Sequence, residues 1–115
     1  MTIKTKKERP SKLAGHTYEL QTGCGPIFVT INNDDDGPFE VFLRLGKAGG
    51  CSACTSEAIG RMASLAFRLG GAPRHVIKQL TGISCHQPAG LGADKVLSCA
   101  DAVATAINLH TETEK

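Results

Sequence analysis

The chain has 115 residues and a formal charge of +2, a length that fits one domain. Hydrophobic residues make up 41% but aromatics only 4%, with no Trp and one Tyr, so Ile, Leu, Val and Ala must fill a modest core. The charge is uneven: Lys4, Lys6, Lys7, Arg9 and Lys12 face only Glu8 in the first twelve residues, which leaves the remainder net acidic and argues against a nucleic-acid-binding face on the domain.

Residues 1–15 read as a solvated basic arm, 16–109 as the folded unit and 110–115 (HTETEK) as a fraying polar tail. The first thirty residues contain no apolar h-region, and no run approaches the roughly 18 apolar residues of a membrane span. The expectation is a cytoplasmic protein with no membrane partner.

In chain order, residues 17–32 are rich in β-branched and aromatic side chains and are interrupted by Gly23-Cys24-Gly25-Pro26, which predicts two short strands around a turn that carries a cysteine. The acidic run 33–38 reads as a hairpin turn, since it lacks the ligand spacing and distal Glu of a calcium loop. Phe39–Leu45 follows as a strand with Phe39, Val41, Leu43 and Leu45 on one face. After the glycine break at 46–50, Ala58, Ile59, Met62, Leu65, Ala66 and Leu69 recur at helical spacing as an inward stripe, closed by Gly70-Gly71. Pro73 opens a short helix with Val76, Ile77 and Leu80 inward and Gly82 ending it. Residues 84–95 have no periodicity and read as a mobile loop, with Leu91 as an exposed apolar contact point. Ser98 is an N-cap for a last helix that turns Ala102, Val103, Ala106 and Ile107 inward.

Four of the five cysteines, Cys24, Cys51, Cys85 and Cys99, fall at junctions between these elements. Turns and helix ends can aim a thiolate at an ion, and a helix N-terminus favours the thiolate form. Four thiolates suffice for one tetrahedral zinc, or for an iron-sulfur cluster. Only Cys51 and Cys54 form a two-residue-spaced pair, so the spacing is not that of a zinc ribbon. Two other readings stand beside the metal: small buried hydrophobes, or a redox pair at Cys51 and Cys54. His86 follows Cys85 and could replace a thiolate, whereas His16, His75 and His110 read as surface residues.

Ordered blocks then carry a resemblance. Arg9-Pro10, Gly15-His16-Thr17-Tyr18, TGCG at 22–25, FVTIN at 28–32, PFEVF at 38–42, GKAGGC at 46–51, SEAIGR at 56–61, KQLTGISC at 78–85 and LSCADAVATAI at 97–107 make residues 9–109 similar to the TSCPD domain. That domain is found near the C-terminus of adenosylcobalamin-dependent (class II) ribonucleoside-diphosphate reductases and in small stand-alone proteins with four cysteines. The resemblance maps the family cysteines onto Cys24, Cys51, Cys85 and Cys99 and leaves Cys54 outside. The signature differs at two places in Leu97-Ser98-Cys99-Ala100-Asp101: Leu97 stands where TSCPD has Thr, and Ala100 stands for the family's Pro.

The fold expectation is a small α+β domain, a three-stranded antiparallel sheet with about three helices on one face and a cysteine cluster at one end. That order is similar to iron-sulfur scaffold proteins of the IscU and NifU type, a fold-level analogy only. The resemblance implies a non-catalytic, four-cysteine, zinc-binding accessory domain for the catalytic chain of a class II reductase, within nucleotide metabolism and DNA replication. The alternatives are an iron-sulfur or metal carrier and a thiol oxidoreductase using Cys51 and Cys54, with a homo-oligomer as a further arrangement.

Overall fold

A computed structural model describes residues 5–23, 25–45, 50–83 and 98–113, with the backbone alone at 50–53 and 113. Three strands, β1 (Ala14–Thr22), β2 (Gly25–Asp34) and β3 (Gly37–Leu45), precede three helices, α1 (Gly50–Arg68), α2 (Pro73–Leu80) and α3 (Cys99–Thr113). The strands form one antiparallel sheet in the order β1-β2-β3. The expected α+β class with its three-stranded sheet and three helices is therefore present. No helix among the described residues is long and apolar enough to cross a membrane.

Register decides which side chains share a face. Tyr18 lies opposite Val29 and Val29 opposite Leu43, while Leu20, Ile27 and Leu45 form the neighbouring row. Because side chains alternate along a strand, these rows point to one side of the sheet. They join Ala63 and Phe67 of α1, Val76 of α2 and Ala102, Val103, Ala106 and Ile107 of α3 in a single apolar cluster. Full burial of a side chain such as Ile107 contributes roughly 1.5–3 kcal/mol, so this short list supplies most of the driving force for folding. The β2–β3 hairpin turns at Asp35-Asp36, with Asp34 Oδ1 accepting the Asp36 N–H at 2.9 Å and Gly37 at φ +125, a conformation costly for any residue with a Cβ.

The α2 and α3 expectations hold in detail. Pro73 begins α2, Val76 is buried with Ile77 and Leu80 against the core, and Gly82 follows with φ +84. In α3, Ala102, Val103, Ala106 and Ile107 are fully buried.

The face expected for α1 is corrected in part: Ile59 and Ala66 pack against the core as expected, but the other large positions of the stripe do not. Met62 is 65% exposed, Leu65 and Ala58 are exposed as well, and the buried positions are Ser56, Gly60, Ala63 and Phe67. The cause is the close approach of α1 to the outer edge of β3. A Cβ on Gly60 would lie 3.0 Å from Leu43 Cδ1 and 3.1 Å from the Val41 carbonyl oxygen. One turn on, Ser64 Oγ bonds the Val41 N–H at 2.8 Å and the Val41 carbonyl at 3.2 Å, serving the backbone groups that an edge strand leaves open. Gly60 and Ser64, spaced by four, allow that proximity, and Met62 and Leu65 are turned outward while Phe67 one turn further on remains in the core.

Both chain ends are tied down further than their composition suggests. The Lys7 N–H donates to the Arg68 carbonyl at 3.0 Å, and Arg68 Nε and Nη2 return bonds of 3.0 and 2.8 Å to the Lys7 carbonyl. Lys7 Nζ also reaches Asp34 and Asp36 at 3.0 and 2.9 Å. At the other terminus α3 does not stop at 109 but continues to Thr113, because His110 is an interior residue.

Candidate functional site

The motif residues of 97–101 act as a helix start. Ser98 precedes α3 and its Oγ accepts the Asp101 N–H at 3.1 Å, the N-cap geometry expected for it, while donating to the Ile83 carbonyl at 2.5 Å. Asp101 Oδ1 accepts the Gly82 N–H at 3.0 Å, so the first turn of α3 is strapped to the chain leaving α2. The carboxylate also sits where the helix dipole favours negative charge. Ala100, which stands where the family has Pro, is buried. The helix therefore starts from the Ser98 cap and the Asp101 strap without needing a ring to preset φ.

Cys99 is the first residue of α3, half-buried and packed against the apolar core. Cys51 lies in the first turn of α1, and Cys54, one turn later, is exposed. Two cysteines thus occupy the first turns of two helices, where exposed N–H groups and the helix dipole stabilise a thiolate. That donor chemistry fits a thiophilic ion such as zinc.

Of the remaining assigned positions, Cys24, Cys85 and His86 lie outside the described residues, as do the side chain of Cys51 and the loop 84–95 with Leu91. Among the described residues no group of three or more His, Cys, Asp or Glu is close enough to hold a metal ion. The flanking elements do give a direction. Thr22 pairs with Gly25 on either side of position 24, and Ile27 pairs with Leu45, so the β1–β2 connection and the exit of β3 toward α1 share one end of the sheet. The last turn of α3 sits at the opposite end, where His110 contacts Asn33 and Tyr18. Its first turn is about 16 Å away along the helix axis.

Two polar residues emerge that the sequence reading missed. His110, expected at the surface, is fully buried: Nδ1 lies 2.8 Å from the Tyr18 hydroxyl and Nε2 2.8 Å from Asn33 Oδ1, with the His16 ring edge-on at 5.7 Å. An Asn carbonyl can only accept, so Nε2 carries the proton in this arrangement. The signal was in the spacing, since His110 continues the α3 stripe of Val103 and Ile107. His16 and His75 are exposed, as expected.

Glu40 is the second. It is 4% exposed although it falls on the strand face away from the core. Arg9 grips it with two bonds, Nε to Oε1 at 2.8 Å and Nη2 to Oε2 at 2.9 Å, and Asn32 Nδ2 adds a third at 2.7 Å. Burial pushes the carboxyl pKa up, but these bonds and the nearby charges of Arg9 and Arg68 outweigh it and hold the value below the usual glutamate range. Burial likewise raises the Asp34 carboxyl, and the Lys7 ammonium with the Asp36 N–H brings it below the ordinary value. No periodicity could have revealed either group, because their cationic partners, Arg9 and Lys7, lie 31 and 27 residues away.

Neither the curated proteins nor the solved structures offered a match to this chain. A family model described as the TSCPD domain matches residues 1–111, which is nearly the full length and includes the Ser98–Asp101 helix start and the strands it packs on. The chain belongs to the TSCPD domain family.

Proposed function

We propose that this chain is a non-catalytic, metal-binding accessory domain that works with the catalytic chain of an adenosylcobalamin-dependent ribonucleoside-diphosphate reductase, with Cys24, Cys51, Cys85 and Cys99 as ligands of one zinc. The observation that carries the reading is the first turn of α3, where Ser98 and Asp101 of the family signature hold Cys99 at a helix N-terminus. Cys51 supports it as a second cysteine whose backbone lies in the first turn of a helix. The shared sheet end of the β1–β2 connection and the β3 exit supports a common location for the ligands contributed by positions 24 and 51. A zinc held by four thiolates supplies folding free energy and leaves no open coordination position for chemistry.

The test is metal content by plasma mass spectrometry with an ultraviolet-visible spectrum, on protein purified without oxygen. About one zinc per chain and no visible band is expected, lost in Cys24→Ser and Cys99→Ser and retained in Cys54→Ser. Iron with sulfide and a visible band would replace the zinc reading with the carrier one, and metal loss with Cys54→Ser would redraw the ligand set. Association is tested separately, by equilibrium binding to the reductase catalytic chain. A Kd of roughly 10 μM or tighter is expected, and no association at that concentration would remove the reductase from the proposal.

A further inference from the structure

A groove of about 710 Å³ runs between β3 and α1 on the outer side of the sheet edge. Its lining is unusual for a domain whose body is net acidic: Lys6, Arg9, Arg44, Arg61 and Arg68 face only Glu40 and Glu57. Two of the cations are neutralised, Arg9 by Glu40 and Arg61 by Glu57. Among the described residues Lys6 and Arg44 have no carboxylate partner, and Arg68 makes no ion pair, although its charge also acts on Glu40. Arg68 spends its bonds on the neutral Lys7 carbonyl and lies 5.1 Å over the Phe39 ring, Arg44 lies 5.5 Å over Phe28, and Lys6 is exposed with no ion pair among the described residues.

The distribution of these charges indicates what would satisfy them. A free phosphate group calls for donors converging on one point, whereas this lining follows α1 from Ser56 to Arg68, about 18 Å of helix axis. Apolar surface is interleaved with the cations: Phe42 is 54% exposed, and Leu43, Leu45 and Leu65 line the same groove. At its α1 N-terminal end, Ser56 Oγ is buried without a hydrogen-bond partner, the only such side-chain atom among the described residues. The contact of Gly60 with Val41 and Leu43 blocks pairing of a further strand directly onto β3 there, so an occupant lies in the groove rather than extending the sheet.

We propose that this groove docks an extended, acidic-and-apolar peptide segment of a partner protein, with carboxylates set against Lys6, Arg44 and Arg68 and apolar side chains against Phe42 and Leu65. Charge complementarity of this kind steers association and is weakened by salt. The inference goes beyond the four-cysteine reading and is independent of it, since no cysteine is among the described residues that line the groove.

The test is fluorescence anisotropy of the full chain with a labelled eight-residue peptide alternating Asp and Leu. Saturable binding is expected, weakening at least fivefold between 50 and 300 mM salt, on the order expected when screening shortens from more than 10 Å to less than 8 Å. Arg44→Glu and Lys6→Glu, both at exposed positions, should each weaken it by roughly tenfold, whereas Lys78→Glu on α2, with the same change in net charge, should leave it within about twofold. A peptide alternating Asp and Ser should bind several-fold more weakly. Absence of saturable binding, equal loss in the Lys78→Glu control, or equal affinity for the Asp-Ser peptide would overturn the proposal. Displacement of the peptide by tripolyphosphate at comparable concentration would overturn it in favour of a phosphate-bearing ligand.

Discussion

Helices α1 and α3 cover the same sheet, yet they bury different kinds of residue. In α3 the interior positions are Ala102, Val103, Ala106 and Ile107, with His110 continuing the stripe. In α1 they are Ser56, Gly60, Ala63 and Phe67, while Met62 and Leu65 face outward. The difference is what each helix meets. α3 lies over β1 and β2, where the side chains of Tyr18, Leu20, Ile27 and Val29 fill the gap between backbones. α1 instead comes against the backbone edge of β3, where Ser64 bonds to Val41 and Gly60 leaves no space for a side chain. Hydrophobic periodicity reports the buried face of a helix that packs through large side chains. It misplaces part of the face, here Ala58, Met62 and Leu65, where the contact requires small residues.

The comparison predicts a graded set of effects. Ile107→Ala, at the centre of the α3 interface, should cost about 2–5 kcal/mol through lost burial and the cavity left behind, read from urea unfolding. Gly60→Val should cost about 1–3 kcal/mol, because its branched side chain must displace Leu43 or the Val41 carbonyl. The result that would break the comparison is an unchanged midpoint for Gly60→Val, since α1 would then not be held at the β3 edge.

A smaller effect concerns charge. Glu40 has a folded pKa below its ordinary value of 4.5, so the stability it contributes is present above that value and is lost as pH falls through the folded pKa. Glu40→Gln should therefore be less stable than the parent by about 1 kcal/mol near pH 7, since Arg9 is partly exposed and the pair is screened. The gap should narrow as the pH drops below 4.5, measured by thermal unfolding at a series of pH values. A gap that widens on acidification would mean that the carboxylate is not the form the fold favours. The smallest effect is expected at Met62, which the periodicity places in the core and the structure places in solvent. Met62→Ala should shift stability by no more than about 0.5 kcal/mol, and a core-sized loss would restore the periodicity reading.

Much of the fold is legible in the chain. The β-branched segments, the turn at Asp35-Asp36, Pro73 at the start of α2 and Ser98 as the cap of α3 are local signals, and each element appears where they place it. The candidate site is legible in part. Cys99 and Cys51 are found at helix starts as the element boundaries imply, and the jobs of Ser98 and Asp101 become clear only when Ile83 and Gly82 are seen beside them.

The sequence by itself determined the α+β class, the order of the elements and the α3 core stripe, because each rests on spacing within a few residues, and the family, because ordered motif blocks run over most of the chain. The tertiary structure decided which face of α1 is buried, that His110 is interior, and that Lys7 and Arg9 are bound to Asp34, Asp36 and Glu40 rather than extended in solvent. Those outcomes depend on the approach of segments such as 9 and 40, or 18 and 110, that are distant along the chain, and no local pattern encodes how closely two backbones will meet.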